Sequence, residues 1–454
     1  MVVFFVLARI LSPADIGALS MIAAIIVLVQ VATESTLAEY IVQEQNNRAD
    51  QINSIFWGQV GISTFAALIV AGTAPWWAIS VIGHDQSVAM TQVLSVAVII
   101  SAIGRVPDAL LRSELKYKQI AVRSLISTVA GAAVGLSAAL LGFGIWSLVA
   151  KQLTESAVDC AASFLVSRWR PGAPSIANLG EPLKYGIGLA GVYAVSVLNS
   201  QLDFFVIGAV LGPVALGLYA VSYRISQTVN DMFAGVVSRT SVPIISKGKG
   251  NPAELRSLHL RMLTLVTIAA IPIYVVLFVV SRPALIFLAG EQWASGAVTM
   301  QILCIAGPIA VAGSLNAGVL IAMKKTGTQF RITGASLLLS AVLFFVSAHW
   351  GLEAVAGASV LRMIATSGIG TYAAAKVTTV SVLDIVGAVI PSVIVGLVGG
   401  VCASIVMSLT TTEPPWLQLF ASGIVACLAM GVVMLAIYRK RIRVALASLK
   451  AKTL

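Results

Sequence analysis

The chain has 454 residues, 58% of them hydrophobic and 10% charged, with a mean hydropathy of +0.97 and a net charge of +11. Soluble domains carry roughly 25% charged residues, so this composition excludes a soluble globular protein and indicates a polytopic membrane protein. Nor does the positive charge indicate nucleic acid, because it is dispersed over the junctions between apolar runs.

A spanning helix needs about 20 mostly apolar residues, since unpaired backbone groups cannot be left in hydrocarbon. On that basis the expected spans lie near 1–11, 16–33, 55–74, 88–104, 120–141, 145–166, 184–211, 215–238, 262–281, 297–322, 332–348, 353–375, 384–409 and 417–438. The chain therefore reads as an all-α polytopic membrane protein of about fourteen spans. The first run is short, because eleven residues give about 16 Å of helix, roughly half a hydrocarbon core. Met1 is expected to be an internal start, with about twenty residues of the natural first helix upstream. The competing reading, a signal peptide, lacks a basic n-region. The 75–87 region, with Trp76 and Trp77, reads as an interfacial extension.

Phe4 to Gly17, FFVLARILSPADIG, returns 200 residues later as Phe204 to Gly217, FFVIGAVLGPVALG. Six of the fourteen positions are identical, including Pro13/Pro213 and Gly17/Gly217. Each copy reads as a helix end, a tight turn at Pro and a new helix, since Pro suits a helix's first turn and Gly allows close approach. A looser echo pairs Gly142 to Val149 with His349 to Ala356. Six spans separate Pro13 from Pro213, an even number, so the copies enter the membrane in the same direction. The expected architecture is two parallel six-helix repeats, related by a pseudo-twofold axis along the membrane normal, with a site at their interface. Boundaries follow: an N-lobe at 1–166 with helix 1 truncated, a cytoplasmic linker at 167–183, a C-lobe at 184–376, and an appended helix pair with a basic tail at 377–454.

With the N-terminus inside, 24 of the 29 Lys and Arg residues fall at cytoplasmic junctions or in the C-terminal tail. Only Arg9 and Arg282 lie opposite, while Lys151, Arg224 and Arg362 fall within spans. This positive-inside asymmetry places both termini in the cytoplasm and gives attraction to anionic headgroups as a by-product. The longest cytoplasmic junctions are expected at 34–53, 167–183 and 239–261. None holds G-x-x-x-x-G-K-S/T or another phosphate-cradling loop, so no ATP is expected to be consumed on this chain. Cys160, Cys304, Cys402 and Cys427 read as small core residues, and no metal ligand set or cofactor is expected. His84, His259 and His349 are isolated and carry no assignment.

Ionisable residues inside a bilayer are costly, by at least about 2.5 kcal/mol on insertion scales, and are functional candidates by default. Lys151, Glu155 and Asp159 stand at i, i+4 and i+8 on the sixth span. They form either a polar stripe on a water-filled cavity, with Glu155 or Asp159 as a proton or cation site, or an ion pair that packs two helices. Asp203 on the seventh span has Val3 as its repeat partner, and its carboxylate is a coupling or packing group. On the eighth span Tyr219, Tyr223, Arg224, Gln227, Asn230 and Asp231 give a polar face. Asn230 aligns with Gln30 in the repeat. Arg224 suits an anionic headgroup, because guanidinium matches phosphate oxygens bidentately; its structural alternative is an ion pair with Asp231. Arg362 lies on the twelfth span as a further candidate. The pairs Lys116/Lys118 and Lys324/Lys325 occupy similar places in the two halves, where they serve topology or draw an anionic substrate to an inward-facing mouth.

A set of motifs carries a family resemblance. LARILSPADIG at Leu7 to Gly17, Gln30, SIFW at Ser54 to Trp57, R-x-x-L-x-Y-K at Arg112 to Lys118 and G-x-G-x-W-S-L-V at Gly142 to Val149 run in order through the first half. Trp169-Arg170-Pro171, Asp203 to Gly212, LGLYAVSYRI at Leu216 to Ile225 and V-P-x-x-S at Val242 to Ser246 follow. From residue 1 to about 375 the chain resembles the polysaccharide transporter family, lipid-linked oligosaccharide flippases of the multidrug/oligosaccharidyl-lipid/polysaccharide exporter superfamily. The resemblance implies two six-helix lobes around a central cavity, an appended helix pair, and location in a bacterial inner membrane. It also implies alternating access that carries a polyprenyl-pyrophosphate saccharide to the outer leaflet, for O-antigen, capsule or exopolysaccharide synthesis. Lipid-linked oligosaccharide and membrane lipids are then the partners, with polymerase and export machinery as further candidates and proton or sodium coupling left open. The family supplies no catalytic motif, so no enzymatic activity is expected. Gln227-Thr228 departs from the pattern, since relatives often have Pro after the Arg-Ile pair, which bears on the kink of that helix. A cation-coupled multidrug antiporter of the same superfamily is the alternative. A membrane glycan polymerase is disfavoured by the short junctions.

Overall fold

Among the described residues fourteen α-helices follow one another, because each hydrophobic run must close its own backbone hydrogen bonds. The computed structural model describes residues 2–44, 48–82, 86–175 and 178–450. The helices are α1 (Val2–Ile10), α2 (Pro13–Gln43), α3 (Ala49–Trp77), α4 (Ser87–Ser113), α5 (Tyr117–Leu140), α6 (Trp146–Ser167), α7 (Gly180–Lys247), α8 (Pro252–Val279), α9 (Ser281–Ala289), α10 (Ala297–Ala322), α11 (Thr326–Ser347), α12 (Leu352–Thr378), α13 (Val382–Leu409) and α14 (Pro415–Lys450).

Among the described residues, eleven helices are long and apolar enough to cross a membrane. One of them, α7, breaks at Gly212, whose φ of 84° is open to glycine without strain, and so carries two arms, 180–211 and 213–247. The 22-residue α6 has spanning length, and Lys151, Glu155 and Asp159 interrupt its apolar run. Adding α6, the nine-residue α1 and the second arm of α7 recovers the fourteen apolar segments; the extra helix α9 is a short piece between α8 and α10.

Several helix starts are fixed by local chemistry. Ser12 caps α2 with a capping box, accepting from the Asp15 N–H while Asp15 accepts from the Ser12 N–H, and Pro13 occupies the first turn. Ser381 and Asp384 repeat the box at α13, and Asn251 caps α8 ahead of Pro252. Two expected junctions are mainly helix. α2 runs on to Gln43 before α3 begins at Ala49, and α7 runs on to Lys247 before α8 begins at Pro252. Polar residues beyond the hydrocarbon still form helix until a cap stops them. His84 lies outside the described residues.

The two halves use the same turn conformations. α4 ends with Leu115 in the left-handed region, where the N–H of Lys116 bonds the Leu111 carbonyl. α10 ends with Lys324 in the same conformation, where the N–H of Lys325 bonds the Leu320 carbonyl. This is the six-to-one closure of a Schellman motif, reached in both places without glycine. Gly142 and Gly351, and then Arg168 and Thr379, form further left-handed pairs in matching order.

The chain divides into two compact units, residues 1–220 and 221–454. In the first, α4 packs against α2, α3 and α6, while α5 lies along α6. A core of Leu37, Ile41, Ile55, Phe56 and Val106 sits at one end. In the second, α8 packs against α10 and α13, α10 against α12, and α13 against α14. Leu255, Leu263, Leu315 and Val319 lie in its core. Cys304 is buried, whereas Cys427 is exposed on an α14 whose apolar side chains mostly face outward, which corrects the reading of all four cysteines as core.

Within the first unit the two copies of the Pro-x-x-x-Gly motif touch reciprocally. A Cβ on Gly17 would fall less than 3.0 Å from the Pro213 carbonyl oxygen, and a Cβ on Gly217 less than 3.0 Å from that of Pro13. Backbone meets backbone, so neither neighbour can rotate away. We therefore expect Gly17→Val and Gly217→Val each to cost more than the roughly 1–3 kcal/mol of ordinary overpacking. Gly61→Val, in open space, should leave the thermal unfolding of the detergent-purified protein unchanged. Equal melting temperatures for all three variants would remove the crossing as a packing constraint.

Candidate functional site

Asp203 lies near the end of the first arm of α7 and is buried. Its Oδ2 accepts from the Tyr219 hydroxyl at 2.6 Å, and its Oδ1 from the Phe204 N–H at 3.0 Å. Tyr219 belongs to the second arm, so this bond joins the arms across the Gly212 break. The Phe204 and Tyr219 rings meet edge to face at 5.5 Å. Tyr219, expected on a polar helix face, is fully buried with its hydroxyl used inside the protein.

Further along the second arm, Arg224 and Asp231 are exposed, and Gln227 donates to Asp231 Oδ1 at 2.8 Å. Asn230 keeps a buried Oδ1 with no hydrogen-bond donor. Gln30 donates to Ser101 at 3.3 Å, linking α2 to α4. Arg362 faces α11, with its guanidinium 5.8 Å from the Phe344 ring centroid and Nη1 3.4 Å from Ser336 Oγ. That contact is a packed cation–π arrangement between two helices.

The charged stripe of α6 faces α5. Lys151 Nζ pairs with Glu155 at 2.7 Å, and Thr128 donates to the other Glu155 oxygen at 3.2 Å. Gly131 and Gly135 let the Lys151 and Glu155 positions approach α5 closely, which a Cβ at either glycine would prevent. Arg123, counted in the sequence among the cytoplasmic basic residues, is 7% exposed on α5 and meets the stripe at Asp159. Its Nε lies 3.1 Å from Asp159 Oδ1 as an ion pair without an aligned hydrogen bond. Its Nη2 pairs with Asp108 Oδ1 at 2.7 Å, and Nη1 donates to Ser163 at 2.7 Å.

Asp108 passes the chain of charges onward. Its Oδ2 receives Arg112 Nε at 3.0 Å, and Arg112 Nη1 reaches Glu39 at 2.6 Å. Five charges on α2, α4, α5 and α6 thus form one network, and the planar forks of two arginines hold it. Of these five, sequence reading made only Asp159 a site candidate and quoted Arg112 within a motif. Spacing could have found the Asp108–Arg112 pair at i, i+4, but the long-range partners have no sequence signal. Of the paired lysines, Lys116 forms an ion pair with Glu114, and Lys324 sits at the left-handed turn after α10. Lys118 lies in the first turn of α5, and Lys325 immediately precedes α11. No group of three or more metal-ligating side chains occurs among the described residues.

Removing one partner of a buried ion pair costs about 3–5 kcal/mol, because it strands the other charge. Arg123→Ala strands Asp159 and leaves Asp108 with Arg112 alone, so we expect a large fall in melting temperature, incompletely recovered by Arg123→Lys, which loses the fork. Asp159→Asn should cost much less, since Arg123 keeps Asp108 and Ser163. Thermal unfolding in detergent reads all three, and equal effects of Arg123→Ala and Asp159→Asn would contradict the network.

Comparison with known proteins places these features. A family model described as polysaccharide biosynthesis protein matches residues 6–298. The succinoglycan biosynthesis transport protein ExoT of Rhizobium meliloti is 26% identical over 371 residues, covering 81% of this chain and 69% of that protein. The lipopolysaccharide biosynthesis protein WzxC of Escherichia coli is 24% identical, covering 72% and 67%. Among solved structures, the lipid II flippase MurJ in an inward closed conformation superposes with a TM-score of 0.79 at 14% identity, over 97% of each chain. An inward-facing multidrug resistance MATE family transporter gives 0.65 at 15% identity, over 84% and 95%. The fold is shared with these transporters, and by the match over well more than half of its length the chain belongs to the polysaccharide biosynthesis protein family.

Proposed function

We propose that this chain is a flippase for a lipid-linked oligosaccharide, moving a polyprenyl-pyrophosphate saccharide from the cytoplasmic to the outer leaflet of a bacterial inner membrane for surface polysaccharide synthesis. Family membership supports the reading, as do relatives named for succinoglycan transport and lipopolysaccharide biosynthesis and a shared fold with a lipid II flippase. The observation that carries it to particular residues is the exposed face of the second arm of α7. Arg224 and Asp231 are exposed there, on a helix long and apolar enough to cross a membrane. Turned toward hydrocarbon they would cost at least about 2.5 kcal/mol each, so this face looks into water.

On this reading Arg224 receives the pyrophosphate, since its fork matches phosphate oxygens, and Gln227, Asn230 and Asp231 meet sugar hydroxyls. The orphaned Asn230 carbonyl suits a hydroxyl donor. Lys116, Lys118, Lys324 and Lys325 raise the local concentration of anionic headgroups at the cytoplasmic mouth. Gln30 and Arg362 shape the walls through their helix contacts. Asp203 is the candidate for proton or sodium coupling, and because its bond to Tyr219 spans the break at Gly212, protonation there would loosen one arm of α7 from the other. Glu155 and Asp159 remain secondary candidates, each held by a cation in the observed state. Both termini lie in the cytoplasm, two six-helix repeats alternate access between the leaflets, and 167–183 links the first lobe at 1–166 to the second at 184–376, with 377–454 appended. The chain transports without chemical turnover, and polymerase or export proteins would take the flipped product.

The test is leaflet-to-leaflet movement of a fluorescent polyprenyl-pyrophosphate oligosaccharide in proteoliposomes. We expect glycan-dependent movement, reduced at least tenfold by Arg224→Ala with unchanged insertion and melting temperature. Tyr219→Phe should alter the pH dependence of movement without abolishing binding. Movement unaffected by Arg224→Ala would remove that residue from the site. Cation-dye efflux with no lipid movement would assign the chain to drug export.

A further inference from the structure

A groove of about 1240 Å³ opens in the second unit between the N-terminal halves of α8 and α13 and residue Ile437 of α14. Its lining on α8 is a single stripe, Arg256, Ser257, Leu260, Arg261, Thr264 and Leu265, which repeats at i, i+4 and i+8. On α13 the stripe is Leu383, Asp384, Gly387, Ala388 and Pro391. Both helices start from the same basic end of the unit, so the groove grades from charged to apolar with depth. From Ala253 to Leu265 it descends about 18 Å at 1.5 Å per residue, close to the depth of one leaflet.

Charge is unevenly placed along it. Arg256 Nη2 lies 2.7 Å from both Asp384 oxygens, so these two groups neutralise one another. Arg261 is exposed one turn deeper on the same stripe and leaves the groove with a net positive charge. Small residues open the α13 wall, and a Cβ on Gly387 would meet nothing within 4 Å. In sequence, Ile437 is followed by Arg439, Lys440, Arg441 and Arg443. None of the lining residues belongs to the set that handles the oligosaccharide.

We infer that this groove holds one anionic phospholipid of the cytoplasmic leaflet, its phosphate against Arg261 and Ser257 and an acyl chain along Leu260, Leu265, Pro391 and Ile437. Charge complementarity selects the occupant. A zwitterionic lipid would fill the apolar floor equally well, but it brings no net charge to match Arg261. The assignment stands independently of the flippase reading, because binding is measured without transport.

The full chain in phosphatidylcholine nanodiscs, with spin-labelled phosphatidylglycerol or spin-labelled phosphatidylcholine added as probe, reports the fraction of label held motionally restricted. The expected preference for phosphatidylglycerol is about fivefold, the effect of one basic residue near an anionic partner. Arg261→Gln should abolish the preference while leaving the restricted phosphatidylcholine signal. Gly387→Leu projects a side chain into the groove from a position whose Cβ meets nothing within 4 Å, and it improves helix propensity, so it should fold normally and remove a restricted component for both labels. Equal restriction of the two labels in the unmodified chain, or a preference that survives both variants, would overturn the proposal. So would stoichiometric displacement of the label by a prenyl pyrophosphate, which would give the groove to the transported lipid's tail.

Discussion

An unpaired charge in hydrocarbon costs more than most single interactions in a protein can repay, and the first unit is arranged around that fact. Arg123 sits almost fully buried on a spanning-length helix, and it is tolerable there only because Asp108, Asp159 and Ser163 converge on its guanidinium. Satisfying Asp108 in turn recruits Arg112, and Arg112 recruits Glu39. One desolvation penalty therefore fixes the mutual placement of α2, α4, α5 and α6 at one end of the unit. The same penalty explains why Lys151 and Glu155 lie against the glycines of α5, where their stems pack and their heads neutralise each other.

Where charge is absent, helices in lipid gain contact by bringing backbones together, which needs small residues at the crossing. Gly104 lets α4 approach Cys160 on α6, and Gly396 and Gly400 bring α13 against the side chains of α8. The Pro13/Gly217 and Pro213/Gly17 crossing is the closest of these approaches, and its reciprocity means that neither copy can change without the other. The motif most visible as a sequence repeat is thus a place where the chain meets its own copy, a sufficient physical reason for both glycines.

Helix number and the apolar runs were legible because hydrocarbon imposes length and hydrophobicity on every spanning segment. The turn positions were legible less directly. Lys116/Lys118 and Lys324/Lys325 stood out as charges, whereas the structure shows that what recurs around them is a left-handed helix end closed by the same hydrogen bond. Arg123 was illegible for a different reason. Counting basic residues by topology treats them as interchangeable, and the partners that separate a snorkelling arginine from a buried one lie on other helices. The α8/α13 groove was invisible too, since its two stripes look like ordinary amphipathic helix ends until they are set side by side.

The motifs SIFW and Trp169-Arg170-Pro171 look unrelated in sequence, yet they form one assembly. Phe56 meets Trp57, Phe164 and Trp169 with ring centroids 5.2 to 6.4 Å apart. Asn53 holds both sides of the following loop, accepting from the Gly172 N–H at 2.8 Å and donating to the Ala173 carbonyl at 2.6 Å, while Trp57 Nε1 donates to the Gly172 carbonyl. The segment leading into α7 is therefore clipped to the start of α3 by backbone hydrogen bonds that no change of loop side chain would remove. Further along α7 the bond between Tyr219 and Asp203 spans the break at Gly212, so the two arms that meet there are tied by a buried hydrogen bond as well as by the continuous backbone.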